Sequence, residues 1–401
     1  MGPRVFSLIL LPTLRCNAAC DYCFEDKDGS WITLDRLPVL IGKVLDHLAA
    51  KDIAELQIHW QGGEVMTLPP SWFSQAHDLI DAAAAVARGR TVTHALQTNM
   101  IGYSPAWDGV IRAMFKNSIS TSLDYPNRYR HRRGRDPADY DARWLRNVRL
   151  ARSAGIDVQV IAVANPATLE LGAERFYRYF VDDLGIGSFQ VNTPFPGGQS
   201  NAVKRLLPLE TGALVRFFIE LADLWLERGE ADGVRVGPFD ELLRYFSGAP
   251  AVLPCIWTDD CTNHLLAIDP HGHVAQCDCW VTSYPEYRFG NLFADADLET
   301  LLAGSPARER FRQRPAALLQ GDCIACDYLA LCHGGCPVRA FTVHGTLFEK
   351  DPYCALYQAL FAHLNAAAVG RARSRRPRSA EDYSRPGTLA TVDLALLRAG
   401  I

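Results

Sequence analysis

Short apolar runs alternate with amphipathic stretches along the first half of the chain. Runs of strand length occur at residues 5–11, 55–60, 91–97, 118–123, 157–164 and 188–192. Segments with the spacing of amphipathic helices lie between several of them, at residues 34–50, 71–87 and 140–154. Because strands that alternate with helices form parallel sheets, six such units predict an α/β fold, a partial (β/α)6 barrel. Its site is expected at the carboxyl ends of the strands.

Composition narrows the class of protein. The chain has 401 residues, of which 48% are hydrophobic and 21% charged, so it can bury a large core and is neither disordered nor fibrous. The 41 basic and 45 acidic residues give a net charge of -4, which provides no general attraction for nucleic acid or anionic lipid. No apolar run approaches the ~20 residues that span a bilayer, and the start lacks the pattern of a signal peptide. We therefore expect a soluble, cytoplasmic protein.

The twelve cysteines fall into two groups. Three lie between residues 16 and 23, and nine lie between residues 255 and 354. Disulfides belong to oxidising compartments and mostly to small domains, so they do not suit a large chain without an export signal. Clustered cysteines in such a chain indicate metal sites.

The first group, Cys16, Cys20 and Cys23, lies on a loop at the carboxyl end of the first predicted strand. Three thiolates within eight residues can bind three irons of a four-iron cluster, which leaves the fourth iron open to a substrate or cofactor. The alternatives are a zinc knuckle that takes its fourth ligand from elsewhere and a set of three buried structural thiols.

This Cys-x3-Cys-x2-Cys loop, with Tyr22 before its last cysteine, resembles the loop of radical S-adenosylmethionine (SAM) enzymes. In that family the open iron binds SAM, and reductive cleavage yields a 5′-deoxyadenosyl radical that abstracts hydrogen. The segment after the second strand is similar to the family's Gly-Gly-Glu motif, which holds the SAM amino group. Glycines admit a ligand close to the backbone, and a carboxylate suits an ammonium group. The residues that the resemblance assigns to the cofactor or substrate are Gly62, Gly63, Glu64, Asn99, Ser122 and Asp124.

The second group of cysteines resembles the seven-cysteine SPASM domain. Cys261 and Cys277 are followed by Cys323-x2-Cys326-x5-Cys332-x3-Cys336 and then by Cys354. Cys255 adds an eighth thiolate, the number that two fully ligated four-iron clusters require. A pair of zinc ribbons is the alternative, because the four cysteines from 323 to 336 would also make a tetrahedral site.

Similarity to the anaerobic sulfatase-maturating enzymes implies how these thiolates divide. Auxiliary cluster I takes Cys255, Cys261, Cys277 and Cys336, and auxiliary cluster II takes Cys323, Cys326, Cys332 and Cys354. With the SAM cluster, the resemblance implies three 4Fe–4S clusters. Full ligation leaves no open iron on the auxiliary clusters, so they are expected to carry electrons. Cys279 is unassigned and is expected to be a small buried residue.

Asp278 follows a predicted cluster I ligand, as in the sulfatase maturases. The resemblance makes it the base that takes a proton from a Ser or Cys side chain as the Cβ radical is oxidised, a role that a shielded carboxylate can fill. A hydrogen-bond acceptor or a turn aspartate is the alternative. Four positions near the expected substrate side depart from the maturase pattern: Glu25, Val65, Met100 and Tyr125. An acidic Glu25 is suited to meet a basic or amine-bearing group of the substrate.

The sequence therefore predicts a radical SAM/SPASM oxidoreductase that abstracts hydrogen from a peptide or protein side chain. Oxidation through the auxiliary clusters would give a formylglycine-type aldehyde, or a crosslink as in the maturation of ribosomally made peptides (RiPPs). One alternative is a small-molecule radical SAM dehydrogenase or epimerase, with Cys279 as a candidate hydrogen donor. The other is a scaffold protein that binds zinc or iron–sulfur clusters without catalysis.

The expected domains are a barrel at 1–200, a helical linker at 201–250, a SPASM domain at 251–370 and a flexible tail at 371–401. No leader-binding domain is expected within the chain. The expected partners are a peptide or protein substrate, an electron donor such as flavodoxin or ferredoxin, and a separate leader-peptide-binding protein. Two basic runs, at 128–135 and 371–378, are interpreted as a solvated loop and part of the tail, so neither membrane nor nucleic acid is expected as a partner.

Overall fold

The strands alternate with helices over the first half of the chain, as predicted. The computed structural model describes residues 5–87, 90–195, 210–258, 265–295 and 297–375, so Cys261 and the tail beyond 375 lie outside the described residues. The strands are β1 (Val5–Leu10), β2 (Glu55–Trp60), β3 (Thr91–Thr98), β4 (Ser118–Ser122), β5 (Asp157–Val163), β6 (Ser188–Asn192), β7 (Arg235–Gly237), β8 (Leu265–Ile268), β9 (His273–Ala275) and β10 (Gly290–Asn291).

Helices connect these strands and form most of the second half. Prolines in the first turn begin several of them, and the Asp136 side chain caps the helix Pro137–Ser153 by accepting from the Asp139 N–H at 3.0 Å. The α-helices are Leu37–Ala50, Pro70–Val86, Asp108–Met114, Pro137–Ser153, Pro166–Leu171, Ala173–Arg178, Thr211–Leu224, Phe239–Phe246, Asp278–Ser283, Leu298–Gly304, Pro306–Leu318, Leu329–Cys332, Pro337–His344 and Cys354–Arg375.

One sheet runs through the described part of the chain. Its order is β10-β9-β8-β1-β2-β3-β4-β5-β6-β7, and all the strands from β8 to β7 in that order are parallel. The six predicted strands are confirmed and lie in chain order. The sheet is wider than predicted, because β7 pairs with β6 and β8 pairs with β1. Strand β8 belongs to the cysteine-rich region, so that region continues the barrel sheet.

The sheet buries one face of each strand. Leu56, Ile58 and Trp60 of β2 are fully buried, while Gln57 and His59 between them are only partly buried. Because side chains alternate across a strand, the apolar residues pack on one side and the polar ones lie on the other. The face that carries the polar residues extends to the carboxyl ends of the strands. None of the helices in the described ranges is long and apolar enough to cross a membrane.

Candidate active site

The three N-terminal cysteines lie on the loop that follows β1. Backbone hydrogen bonds join this loop to the segment after β4: the Ala19 N–H donates to the His131 carbonyl at 2.8 Å, and the Asp21 N–H donates to the Tyr129 carbonyl at 3.0 Å. The second segment is the basic run at 128–135, whose middle residues are partly buried. The prediction of a solvated loop holds for residues 128 and 133–135, which are exposed, and is wrong for residues 129–132, which are partly buried and hydrogen-bond the cysteine loop.

Lys27 lies among the three thiols. Its ammonium is within electrostatic range of Cys16, Cys20 and Cys23 and donates to the Ala18 carbonyl at 3.5 Å. Burial raises the pKa of the Cys16 thiol to about 12, because the poorly hydrated site disfavours a thiolate. A metal that replaces the thiol proton removes that penalty. Three desolvated thiols beside one cation therefore fit the anionic iron–sulfur cluster that the sequence predicts.

The glycines after β2 press against the cysteine loop. The Gly63 N–H donates to the Thr13 carbonyl at 3.0 Å, and the Glu64 N–H donates to the Arg15 carbonyl at 2.7 Å. A Cβ at Gly63 would lie 2.3 Å from the Arg15 carbonyl oxygen, and one at Gly62 would lie 2.8 Å from that of Thr13. The resemblance assigned Gly62 and Gly63 to cofactor binding. In the structure, the backbone of the cysteine loop lies directly against both glycines.

Glu64 is buried and joins the ends of two strands. Its carboxylate accepts from the Thr98 hydroxyl at 2.6 Å, the Asn99 N–H at 2.6 Å and the Met66 N–H at 2.9 Å. Burial raises the pKa of Glu64 and these donors oppose the rise. The Asn99 amide in turn donates to Asn17 Oδ1 of the cysteine loop at 2.7 Å. Glu64 and Asn99 therefore meet beside the cysteines, while their contacts with SAM stay a prediction.

Asp124 ties the end of β4 to the cysteine loop. Its buried carboxylate accepts from the Tyr22 hydroxyl and from the Val163 N–H at 3.0 Å, and it forms an ion pair with Arg130, whose Nε lies 3.0 Å away. The Arg130 guanidinium also lies over the Tyr22 ring, 5.3 Å from its centroid. Nearby, Ser122 accepts from the Gln97 amide at 2.9 Å. These contacts position the loop, and the roles of Asp124 and Ser122 toward the cofactor stay predictions.

Four cysteines of the second group surround one cavity of about 40 Å³. They are Cys323, Cys326, Cys332 and Cys354, the set expected for auxiliary cluster II. The Gln358 amide contacts Cys326 Sγ at 3.4 Å. Cys336, the fourth cysteine of the zinc-ribbon alternative, is not among the cavity's lining residues. In the described ranges, no three or more His, Cys, Asp and Glu side chains are placed as ligands of one single metal ion.

Cys255, Cys277 and Cys336 form a separate group. Cys336 acts electrostatically on the thiols of both Cys255 and Cys277. The Asp351 carboxylate accepts from the Cys336 N–H at 2.9 Å and fixes the start of the helix Pro337–His344. These three are the described members of the set expected for auxiliary cluster I, and the fourth, Cys261, lies outside the described residues. Cys336 thus lies with Cys255 and Cys277 and apart from the cavity of the other four cysteines, while the division into two clusters and the metal ligation stay predictions.

Cys279 lies in the hydrophobic core with 1% of its surface exposed. The prediction of a small buried residue is confirmed. The thiol is not among the residues that line the cavity of Cys323, Cys326, Cys332 and Cys354, so the structure gives no support to a hydrogen-donor role.

Asp278 begins the helix Asp278–Ser283 and lies between the two cysteine regions. Its Oδ2 accepts from the Gln61 amide at 2.6 Å, and Gln61 directly precedes the Gly-Gly-Glu segment. Burial raises the pKa of Asp278 to about 6. The Ser283 hydroxyl donates to the Phe24 carbonyl at 2.6 Å, which brings this helix against the end of the cysteine loop and places Asp278 near Glu25.

Comparison with known proteins agrees with this arrangement. The family model described as Radical SAM superfamily matches residues 10–170. A serine-type anaerobic sulfatase-maturating enzyme of Bacteroides thetaiotaomicron is 23% identical over 350 residues, which cover 82% of this chain and 81% of that protein. The PqqA peptide cyclase of Gluconobacter oxydans is 23% identical over 353 residues, which cover 87% and 90%.

Among solved structures, native anSMEcpe with bound AdoMet and the Cp18Cys peptide superposes with a TM-score of 0.75. The alignment has 21% identity and covers 93% of this chain and 100% of that one, which shows a shared fold. The family match, the loop of three cysteines and the Gly-Gly-Glu segment packed against it together indicate a radical SAM domain at residues 10–170.

Proposed function

We propose that this protein abstracts hydrogen from a side chain of a peptide or protein and oxidises the product radical, giving a formylglycine-type aldehyde or a crosslink. The position of Asp278 carries the proposal. The carboxylate is adjacent to Cys277 and bonded to Gln61, so a proton acceptor lies between the predicted cluster I cysteines and the Gly-Gly-Glu segment. A base at that junction suits the removal of a substrate proton during oxidation.

The substrate class comes from the relatives. One is named a sulfatase-maturating enzyme and another a peptide cyclase, and the anSMEcpe structure contains a bound peptide. A peptide or protein substrate is common to all three names. The buried position of Cys279 favours this class over an epimerase that would need a thiol hydrogen donor.

Radical SAM chemistry implies a 4Fe–4S cluster and SAM, and we propose two further 4Fe–4S clusters in this chain. The residues that would hold the first cluster are Cys16, Cys20 and Cys23, and those for the other two are Cys255, Cys261, Cys277 and Cys336, and Cys323, Cys326, Cys332 and Cys354. When bound, these groups supply the radical and one-electron oxidation. Desolvated thiols around a cavity fit such groups.

The chain's own residues prepare the reaction. The Gln61 amide and the backbone N–H of Cys279 hold the Asp278 carboxylate in one orientation. The contacts of Glu64, Asn99 and Asp124 hold the cysteine loop against β2, β3 and β4. We further propose a flavodoxin or ferredoxin as electron donor, a separate leader-peptide-binding protein as partner and a cytoplasmic location.

Anaerobic reconstitution tests the proposed function. We expect about twelve irons per chain, a brown chromophore and release of 5′-deoxyadenosine from SAM under reduction. A substrate peptide or sulfatase, sought among products of neighbouring genes, should lose two hydrogens, as measured by mass spectrometry. A preparation that binds zinc alone and cleaves no SAM would reject the proposal.

We expect Asp278→Asn to separate SAM cleavage from product formation. The amide keeps the size of the side chain but does not accept a proton, so 5′-deoxyadenosine should still form while oxidised product is lost. The comparison is Asp26→Asn, which removes a carboxylate from an exposed position on the cysteine-loop side. Normal product from Asp278→Asn would remove the base assignment.

Paired substitutions test how the auxiliary cysteines divide, with Cys336 in the set of Cys255 and Cys277 and with Cys354 in the set of Cys326. Cys354→Ala and Cys326→Ala each should lower the iron content by about four atoms and destabilise the chain. Their double variant should lose no more than either single variant, because both thiols line the same cavity. Adding Cys336→Ala to Cys354→Ala should instead remove about eight irons. If the double variant of Cys326 and Cys336 loses no more metal than either single variant, the two thiols belong to one site, and the zinc-ribbon grouping is correct.

A further inference from the structure

Two carboxylates from distant parts of the chain meet beside the cysteine loop. Glu25 lies two residues after Cys23, and Asp278 lies one residue after Cys277. The hydrogen bond from the Ser283 hydroxyl to the Phe24 carbonyl, 2.6 Å long, joins the segments that carry them. The two carboxylates act electrostatically on each other, and the Thr282 hydroxyl donates to the Asp278 carbonyl at 3.0 Å. This pair therefore lies at the junction of the two cysteine regions.

One oxygen of this pair lacks a partner. Glu25 Oε2 is buried and has no hydrogen-bond partner among the residues that the structure describes. A buried carboxylate oxygen without a donor destabilises a fold unless a ligand supplies one. Asp278 Oδ2, in contrast, is bonded to Gln61. The orphan oxygen thus marks a place where a donor from outside the chain would be favourable.

The charged groups around Glu25 favour a cation as the donor to its Oε2. Of the charged groups that act most strongly on Glu25, Asp278 and Asp269 are negative and Lys27 alone is positive. Lys27 is engaged with the three thiols and forms no ion pair with Glu25 in the described part of the chain. Asp269 is already paired with His273 Nδ1 at 2.9 Å. An incoming ammonium or guanidinium group would donate to Oε2 and stabilise the ionised form of Glu25, which burial and the neighbouring Asp278 disfavour.

We propose that Glu25 binds a positively charged group of the substrate, the ammonium of a Lys or the guanidinium of an Arg, in the negative field of Asp278. This inference rests on the proposed function, since it assigns a charge to part of the peptide. It leaves Asp278 with its Gln61 partner and its role as the base. The subsite makes the enzyme selective for basic peptides although its overall charge is only -4.

Peptide selection by the reconstituted full-length enzyme with SAM tests the subsite. The probe is a pool of capped hexapeptides, randomised at every position, and the bound fraction is sequenced by mass spectrometry. We expect the wild type to enrich Lys or Arg over norleucine at one or more positions by about tenfold, as for a hydrogen bond between charged groups. The relative enrichment of Lys and Arg distinguishes the two cations.

Three variants make the selection decisive. Glu25→Gln should lose the enrichment, whereas Asp26→Asn, which removes an exposed neighbouring charge, should keep it. Glu25→Asp, which keeps the carboxylate, should keep part of the enrichment, a result that misfolding does not produce. Equal enrichment by wild type and Glu25→Gln would overturn the inference, and so would absence of enrichment by the wild type. Release of 5′-deoxyadenosine is measured separately and tests the proposed function. Peptide enrichment decides whether the subsite exists, whether or not SAM is cleaved.

Discussion

Replacing Cys16, Cys20 or Cys23 with Ala is expected to reduce SAM cleavage below detection. The three thiols lie on one loop that two strand ends hold from either side, so each occupies a fixed place. With only three protein ligands to a four-iron cluster, the loss of one leaves two irons without a thiolate. The measurements are iron content and 5′-deoxyadenosine released under anaerobic reduction.

The matched comparison is Cys279→Ala. This thiol is equally small but lies in the core, outside both auxiliary cysteine groups, and its loss should leave SAM cleavage intact. A Cys16→Ala variant that still cleaves SAM at the wild-type rate would show that the N-terminal loop does not hold the reactive cluster. Cleavage lost equally in Cys279→Ala would indicate a general effect of thiol removal on folding.

The alternation of apolar strands with helices was sufficient to predict the central sheet. Strand β2 has the predicted bounds, and its buried residues Leu56, Ile58 and Trp60 occur at the period of two that the pattern requires. Strands β7 and β8 were not predicted. They are only three and four residues long, and β8 pairs with β1 across most of the chain. Short strands that form through distant pairing leave little signal in a local pattern.

The candidate site was also predicted only in part. Spacing indicated the cysteine groups, because those ligands are close in sequence, and the resemblance to radical SAM enzymes indicated the Gly-Gly-Glu segment after the second strand. The contacts among Tyr22, Asp124 and Arg130 were missed, since Tyr22 and Asp124 are 102 positions apart. Arg130 lies in a basic run that is typical of a solvated loop, yet its side chain is 11% exposed and paired with Asp124. A local charge pattern does not reveal a partner brought in by the fold.

These missed contacts join the cysteine loop to the ends of three strands. Asp124 holds Tyr22 from the end of β4, and Asn99 holds Asn17 from the end of β3. From the end of β2, the backbone of Gly63 approaches within hydrogen-bond distance of the loop. The last contact depends on the absence of a side chain, so it is the most sensitive to a small substitution.

Gly63→Ala is accordingly expected to destabilise the chain and to abolish cluster assembly. The added methyl group would lie 2.3 Å from the Arg15 carbonyl oxygen and 2.7 Å from the Leu14 carbonyl carbon, and backbone atoms cannot turn aside as a flexible side chain can. Overpacking of this kind costs about 1–3 kcal/mol, and here the strain falls on the loop that carries the three cysteines. Thermal unfolding, iron content and SAM cleavage measure the effect.

The comparison is Gly42→Ala, in the middle of the helix Leu37–Ala50. A Cβ at Gly42 meets no heavy atom within 4 Å, and Ala is the better helix former, so this variant should gain about 0.5–1 kcal/mol of stability and keep SAM cleavage. The change from Gly to Ala is thus expected to lower the stability of the chain at position 63 and to raise it at position 42. If Gly63→Ala assembled its cluster as Gly42→Ala does, the close approach of the Gly-Gly-Glu segment to the cysteine loop would not be a requirement of the site, and the segment would be free to serve the cofactor alone.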